Sequence, residues 1–400
     1  MKSLRPDTLP FTLFLSAAVA LGPLSTDMYL PSLPLLSDVF AAPVSEVQWT
    51  LSVFMIGVAA FQLIIGPLSD RFGRKNILTL GLVTFAVACF ACQRSVTIEE
   101  LTIYRLLQSF GVCSAMVIPR AMVRDLFHRD AAALQLSRMG TYMGFAPALA
   151  PIIGGYIALS YGWEGVFSAL GFYTLVLAIV VVFFIQETLP RRDLTALSPD
   201  RMATNYLEIV SSLEFVGYVI TAALCFGGFF AYLSGSSFVL INVMGIPIDH
   251  FGYYFCIVVL GFIFGTLMGP MFTRRLNLYK SLQVGASFSL IGGSMLLLLA
   301  LGDILHPLAI VGPMLIYNIG VGMVLPQCQA AAVHPFPAKA GAASGLLGFI
   351  IIGFAAFLGL IVGELYVGTQ MPMVTTVFLM GVGTNLFFYA VVYPRKQQTA

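Results

Sequence analysis

Residues 66–75, with the sequence GPLSDRFGRK, form a short charged segment between two long apolar runs of the chain. Gly66 and Pro67 are predicted to end the first run, because proline lacks a backbone donor and glycine adopts dihedral angles that other residues avoid. Three cations follow within five residues, and short loops rich in Lys and Arg stay on the cytoplasmic side of a membrane. The alternative is an ordinary solvated basic turn, which the two flanking apolar runs argue against.

The composition indicates a membrane protein. Of 400 residues, 59% are hydrophobic and only 10% are charged, and the mean hydropathy is +0.93. A soluble globular protein has about 25% charged residues. Apolar stretches of about 18 or more residues recur along the chain, each long enough to cross about 30 Å of hydrocarbon. No stretch is left over for a folded soluble domain.

Twelve apolar spans are predicted, so the expected fold class is an all-α integral membrane protein with twelve transmembrane helices. The first span contains Asp27 and lacks a small-residue cleavage site after it, so we do not expect a signal peptide. The predicted spans are 9–36, 47–67, 77–94, 98–121, 133–157, 164–186, 211–239, 251–272, 281–301, 306–330, 341–364 and 372–392.

The distribution of charge predicts the orientation of these spans. Most of the 20 Lys and Arg residues lie in or beside the termini and the even-numbered connections, whereas Arg94 lies in a connection on the other side together with most of the loop carboxylates. By the excess of cations on the cytoplasmic side, both termini are predicted to be cytoplasmic.

The chain is predicted to divide into two lobes of six helices each. The longest polar connection separates an N-terminal lobe, 1–187, from a C-terminal lobe, 211–400, and leaves 188–210 as a cytoplasmic linker. Gly66-Pro67 with Arg71 recurs 203 residues later as Gly269-Pro270 with Arg274, again after the second span of its half. Parallel repeats of this kind are typical of two-lobed transporters. Thr273 replaces the aspartate in the second copy, so the first copy is predicted to carry the functional constraint.

The motifs of the chain resemble those of the major facilitator superfamily, and most closely its drug:proton antiporters of the Bcr/CflA type, the bicyclomycin and chloramphenicol exporters. Segment 66–75 resembles the loop between helices 2 and 3 of that superfamily. The other matching stretches are 25–31 (STDMYLP), 105–108 (RLLQ), 124–125 (RD), 144–147 (GFAP), 151–155 (PIIGG), 251–255 (FGYYF) and 341–344 (GAAS).

The resemblance implies that Asp27 and Arg105 take part in proton coupling. Asp27 is the only carboxylate well inside a predicted span, and an ionisable group there is costly and usually faces a cavity or a partner. The alternatives are a carboxylate that only braces the helix bundle and an arginine that extends to the outer headgroups.

Two further groups of residues are assigned by the resemblance. One is an inner-gate motif, whose Asp70, Arg71 and Arg74 can form ion pairs with the end of the fourth helix. The members of this motif are Gly66, Asp70, Arg71, Gly73, Arg74, Lys75 and Asp125. The other allows close packing of the fifth span between the lobes: Gly144, Pro147, Pro151, Gly154 and Gly155. Plain helix packing is the alternative for each glycine.

A subset of aromatic and polar side chains is expected to line a central substrate cavity. These are Met28, Tyr29, Phe54, Gln108, Tyr142, Phe229, Tyr232 and Tyr317.

The sequence lacks the patterns of several other kinds of protein. It contains no G-x-x-x-x-G-K-[ST] phosphate loop and no H-E-x-x-H metal motif, and its four histidines lie apart. We therefore expect no metal, no cofactor and no enzymatic activity.

These observations predict a proton-coupled efflux transporter of the bacterial inner membrane that exports small, largely apolar antibiotics by alternating access. Its partners would be drugs, protons and the lipid bilayer, with no nucleic acid and no required protein partner, and it would act as a monomer. The alternatives are a transporter of a polar metabolite such as a sugar and, from another class, an integral-membrane enzyme or sensor.

Overall fold

The computed structural model describes residues 4–392, apart from the side chain of Arg129, and this part of the chain is helical with no β-strand. The helices are α1 (Leu9–Asp27), α2 (Leu33–Val39), α3 (Val44–Phe72), α4 (Arg74–Cys92), α5 (Ile98–Leu126), α6 (Arg129–Met143), α7 (Ala146–Phe184), α8 (Pro199–Val210), α9 (Leu213–Ser237), α10 (Ile248–Leu276), α11 (Leu278–Leu301), α12 (Pro307–Val333), α13 (Ala340–Glu364) and α14 (Met371–Phe387). Short 3₁₀ turns at Leu30–Ser32 and Pro337–Lys339 and π-helical ends at Phe238–Val243 and Phe388–Val392 complete them.

The described residues contain twelve membrane spans. Eleven helical stretches are long and apolar enough to cross a bilayer, and one of them, Asp130–Phe184, has 55 residues. Gly162 divides it into two spans, because its φ of +71° is not helical. The prediction of an all-α membrane protein with twelve transmembrane helices is confirmed.

Prolines interrupt two of the spans and create helix ends inside the bundle. The first span breaks after Asp27, and Pro31 lacks the N–H that would bind the Asp27 carbonyl. The fifth span breaks between α6 and α7, at Gly144 and Phe145, just before Pro147. The first break places Asp27 at a helix end within the molecule.

One sequence-based prediction about local structure was wrong, and one connection contains a helix that was not predicted. Gly66 and Pro67 do not end the second span, since α3 continues to Phe72 and stops at Gly73, whose φ is +99°. The connection 188–210, predicted as a cytoplasmic linker, contains helix α8 in its second half. A proline removes only its own N–H from the hydrogen bonds of a helix. Helix α3 therefore continues past Pro67, and another group can satisfy the carbonyl that Pro67 leaves free.

In the described part of the chain, two helix pairs make most of the contact between the lobes. The antiparallel pair α3 and α13 is in contact along its length: Gln48 lies at Gly363, Ser52 at Gly359 and Gln62 at Gly345 and Gly348. The pair α7 and α10 is in contact where α10 begins, and a methyl group on Gly155 would lie 2.7 Å from the Ile248 carbonyl. We call the side of the molecule that carries residues 66–75 the motif face and the other side the opposite face.

Candidate functional site

Asp27 is buried at the end of α1, with 4% of its surface exposed. Its Oδ1 accepts a hydrogen bond from the Thr26 hydroxyl at 2.9 Å, and within residues 4–392 it forms no ion pair. Gly154 of α7 packs directly against the backbone of Met28, the next residue, so a side chain at 154 would collide with it. The helix break and this close approach together hold the carboxylate in the interior.

Arg105 is completely buried and is surrounded by aromatic rings. Its guanidinium carbon lies 4.1 Å from the ring centre of Phe54, 4.6 Å from that of Tyr29 and 5.9 Å from that of Phe167. Aromatic faces attract a cation, and the attraction is larger where water is excluded. Three rings therefore take the place that a carboxylate holds in an ordinary buried ion pair.

The polar contacts of Arg105 reach the neighbourhood of Asp27 without touching its carboxylate. Nη1 donates to the Ser25 carbonyl at 3.2 Å and to Oε1 of Gln108 at 2.9 Å. Nε and Nη2 have no hydrogen-bond acceptor among the described residues. Gln108 Nε2 in turn donates to Sγ of Cys89 at 3.0 Å. Asp27 and Arg105, which were predicted to act in proton coupling, thus lie on neighbouring segments. The hydrogen bond from Arg105 to the carbonyl of Ser25, two residues before Asp27, links these segments.

On the motif face, Arg74 joins three helices of the N-terminal lobe. Its Nη2 lies 2.6 Å from Oδ1 of Asp70 at the end of α3, and its Nε lies 3.0 Å from Oδ2 of Asp125 at the end of α5. Its Nη1 also donates to the Ser69 hydroxyl at 2.6 Å. Only 10% of the Arg74 side chain is exposed, and it pairs with one half-buried carboxylate, Asp125, and one that is 40% exposed, Asp70.

Glu187 is a member of this network that the sequence analysis did not assign. Its carboxylate accepts the backbone N–H groups of Arg74 and Lys75 at 3.0 and 3.2 Å, where α4 begins. The first N–H groups of a helix lack internal partners and favour an anion. A side chain at Gly73 would collide with this carboxylate, and the φ of Gly73 also suits only glycine. No local pattern points from Glu187 to residues 113 positions away.

The remaining predicted inner-gate residues lie near the network but make other contacts. Arg71 stacks over its neighbour Phe72, with 5.4 Å between the guanidinium carbon and the ring centre. Lys75 donates from Nζ to the Val182 carbonyl at 2.9 Å. Gly66 has open space around it.

The predicted residues of the fifth span divide between the two sides of α7. Gly154 faces the break in the first span, whereas Gly155 faces Ile248 of the other lobe. The hydroxyls of Tyr156 and Tyr253 are 2.8 Å apart across the same interface. Pro151 is buried one helical turn before Gly155, and Gly144 and Pro147 lie at the break between α6 and α7. The α7–α10 contact is therefore a close approach of backbones joined by one tyrosine pair.

The predicted cavity residues occupy three places. Tyr29, Phe54 and Gln108 surround Arg105, and Met28 adjoins Asp27. Tyr232 and Tyr317 are buried in the C-terminal lobe, where the Tyr317 hydroxyl donates to the Cys225 carbonyl at 3.2 Å, and Phe229 lies 6.0 Å from Phe226 between ring centres. Tyr142, on α6, is 41% exposed and stands apart. Phe167 and Ser25 at Arg105 were not predicted, because neither type is rare in an apolar span.

In the described part of the chain, no group of three or more His, Cys, Asp and Glu side chains is arranged to hold a metal ion.

The sequence profile described as Major Facilitator Superfamily matches residues 15–360 of this chain. The chain belongs to the Major Facilitator Superfamily. It is thus a multi-pass membrane protein of a transporter family, in agreement with its twelve spans.

Relatives within the superfamily confirm the resemblance to Bcr/CflA-type proteins. The chain is 32% identical over 388 residues to a bicyclomycin resistance protein homolog of Haemophilus influenzae, and the alignment covers 96% of each chain. It is 26% identical over 345 residues to a chloramphenicol resistance protein of Pseudomonas aeruginosa, which covers 85% of this chain and 81% of that one. A bacterial homolog of the human lysosomal transporter Spinster, in an inward-facing and occupied conformation, superposes with a TM-score of 0.74 over 98% of each chain at 15% identity, which shows the shared fold.

Proposed function

We propose that the protein exports small, largely apolar antibiotics in exchange for protons. The observation that carries this proposal is the similarity, over nearly the whole chain, to proteins named for resistance to bicyclomycin and chloramphenicol. Substrates of this kind fit the interior, because among the described residues the buried charged side chains away from the motif face are Asp27 and Arg105.

Asp27 is the proposed proton-coupling residue. A buried carboxylate without a cationic partner is costly, and a bound proton removes its charge. Arg105 is bound to the Ser25 carbonyl two residues away, so a shift of the guanidinium changes the electric field at Asp27. Drug binding that displaces Arg105 or its aromatic neighbours would in this way alter the proton affinity of Asp27.

The proposed mechanism is alternating access between two lobes, 1–187 and 211–400, joined by 188–210. The motif face is proposed to be cytoplasmic, with both termini on that side, because the connections there carry most of the Lys and Arg. The membrane is then the bacterial inner membrane. The Arg74 network would stabilise the cytoplasmic helix ends in one state, and the α7–α10 contact would close the outer side.

The proposal requires no nucleotide, metal, nucleic acid or second protein, and no covalent chemistry. Export of a polar metabolite is the weaker alternative, since such a site needs several free amide and carboxylate side chains. Gln48 and Gln62, two of the few amides in the spans, lie against glycines of α13.

The test is a resistance and accumulation screen in bacteria that lack their main efflux pumps. Cells expressing the protein should tolerate higher concentrations of bicyclomycin, chloramphenicol or both, and should accumulate less of the drug. A protonophore should abolish the difference. Equal accumulation with and without the protein, across a panel of apolar antibiotics, would contradict the proposal.

A further inference from the structure

Pro67 leaves one carbonyl of α3 without a helical partner. In an α-helix the carbonyl of residue 63 accepts the N–H of residue 67, and proline has none. A freed buried carbonyl needs another donor. The hydroxyl of Tyr206, on linker helix α8, supplies it by donating to the Leu63 carbonyl at 2.8 Å.

A second carbonyl of α3 also binds the linker. The Asp70 carbonyl lies in the last turn of the helix, where carbonyls lack internal partners. It accepts the N–H of Asp193 at 3.1 Å. The Asp193 carboxylate is bound by the hydroxyl and N–H of Thr195 and by Arg201 at 2.7 Å, and these bonds lower the pKa of Asp193. The start of the linker is thereby ordered against the same turn that pairs with Arg74.

The other end of α8 binds the C-terminal lobe. Glu208 forms an ion pair with Lys339, which immediately precedes α13. Ile209, the next residue, is completely buried. Helix α8 therefore contacts α3 of one lobe and the beginning of α13 of the other.

These contacts lie where the two lobes meet on the motif face. Gln62, the neighbour of Leu63, lies against Gly345 and Gly348 of α13. A cavity of about 440 Å³ separates the linker from these helix ends, and Asp70, Arg201, Tyr206 and Lys339 are among its lining residues. Separation of α3 from α13 would break either the Tyr206 bond or the Glu208 ion pair, since Tyr206 and Glu208 are two residues apart on one helix, which cannot move with both lobes.

We propose that Tyr206 is a positioning residue of the transport cycle: its bond to the carbonyl freed by Pro67 docks α8 across the lobe boundary and stabilises the state in which the cytoplasmic ends of α3 and α13 are together. The assignment rests on the proposed alternating-access function. It gives Pro67 a role that differs from ending the helix, namely to create the acceptor for the linker.

The internal repeat provides a matched control. Pro270 stands in α10 where Pro67 stands in α3, and it frees the carbonyl of Thr266 in the same way. Thr266 and Pro270 line a different cavity, of about 690 Å³, together with Glu214, Tyr218 and His334 of the C-terminal lobe. No linker residue is among those that line it. Replacing Pro270 therefore changes a helix in the same manner without affecting the docking of α8.

The test is a double-mutant cycle in the full-length protein. It is read from the distance between two spin labels, measured by double electron–electron resonance. Spin labels are placed at Leu126 and Leu276, which are exposed at the motif-face ends of α5 and α10. Tyr206→Phe should raise the ratio of separated to closed distances by about 2- to 12-fold, the effect of one lost hydrogen bond. Glu208→Gln should shift it in the same direction.

The cycle is closed with Pro67→Ala, which returns an N–H to the Leu63 carbonyl. In that background Tyr206→Phe should change the ratio by less than half as much on a logarithmic scale, because the carbonyl keeps a partner. Pro270→Ala and Tyr161→Phe, an exposed tyrosine distant from the linker, should leave the ratio unchanged.

No change with Tyr206→Phe, or an equal change in the Pro67→Ala background, would overturn the assignment. The measurement needs no drug, so it is independent of the accumulation screen. Correct distance shifts without any drug export would leave the docking role intact and contradict only the proposed function.

Discussion

At the scale of single residues, Arg105 shows how a cation is accommodated in the interior without a carboxylate. Each of the nearby rings contributes about 0.5–2 kcal/mol of cation–π attraction. The guanidinium plane can face Phe54 and Tyr29 while its Nη1 donates to Ser25 and Gln108. An ammonium group is compact and cannot satisfy both requirements.

Arg105→Lys is therefore expected to lower uphill drug export about tenfold or more, equivalent to about 1.4 kcal/mol, although it preserves the charge. The measurement is the initial rate of drug efflux from loaded cells, corrected for the amount of protein in the membrane. Arg94→Lys, at an exposed arginine, is the control and should match the wild type. Unchanged efflux by Arg105→Lys would show that the shape of the guanidinium is unimportant.

Gly73 and Gly66 belong to the same segment, but they should differ in how much substitution costs. Gly73→Ala forces a left-handed φ on alanine and drives its Cβ into the Glu187 carboxylate, which should cost about 1–3 kcal/mol of stability. Gly66→Ala meets no other helix, and its gain in helix propensity is opposed by the contact of the new Cβ with Pro67, so stability should change by less than about 1 kcal/mol. Thermal unfolding in one detergent compares the two variants, and equal melting temperatures would refute the argument.

At the scale of helices, the sequence predicted what local composition determines. An apolar run long enough to cross the membrane can be recognised without knowledge of its neighbours, so the spans followed from the sequence. The end of α3 did not, because a proline frees one carbonyl without necessarily stopping the helix, as Pro67 in α3 and Pro270 in α10 both show. Glu187 was missed because its role arises only when its carboxylate meets the beginning of α4, 113 residues away.

The Arg74 network gives a prediction at this scale. Asp70→Asn removes one of the two carboxylates that pair with Arg74, so the link between the ends of α3 and α5 through Arg74 should loosen and drug export should fall several-fold. The protein should still reach the membrane. Asp303→Asn, in a connection on the opposite face, keeps a residue type that tolerates its φ of +53° and should be neutral. Wild-type export by Asp70→Asn would mean that the segment serves topology alone.

At the scale of the whole molecule, the lobes meet along two pairs of helices with different chemistry. The α3–α13 pair places amides and hydroxyls against glycines from one face to the other, whereas the α7–α10 pair relies on glycines and one tyrosine pair near the opposite face. Small residues let helix backbones approach closely, which supplies much of the attraction between helices in lipid. Which helices of the two lobes meet could not be predicted from the sequence, because it depends on packing between distant segments.

Gly155→Leu tests the role of the α7–α10 pair. Its side chain would meet the Ile248 carbonyl, so the lobes should separate on the opposite face and Tyr253 should become more accessible from that side. The cysteine of Tyr253→Cys should then react faster with a membrane-impermeant thiol reagent in the Gly155→Leu background than without it. Gly312→Leu, where the structure leaves open space, is the control. An unchanged reaction rate would show that this contact does not close the outer side.

The main functional proposal is that Asp27 couples drug export to protons. The measurement is drug accumulation by proteoliposomes across an imposed pH difference of about one unit, which can sustain at most about a tenfold drug gradient for each proton exchanged. The wild type should accumulate drug above equilibrium, whereas Asp27→Asn should only equilibrate it, since an amide cannot take up and release a proton. Accumulation above equilibrium by Asp27→Asn would contradict the claim.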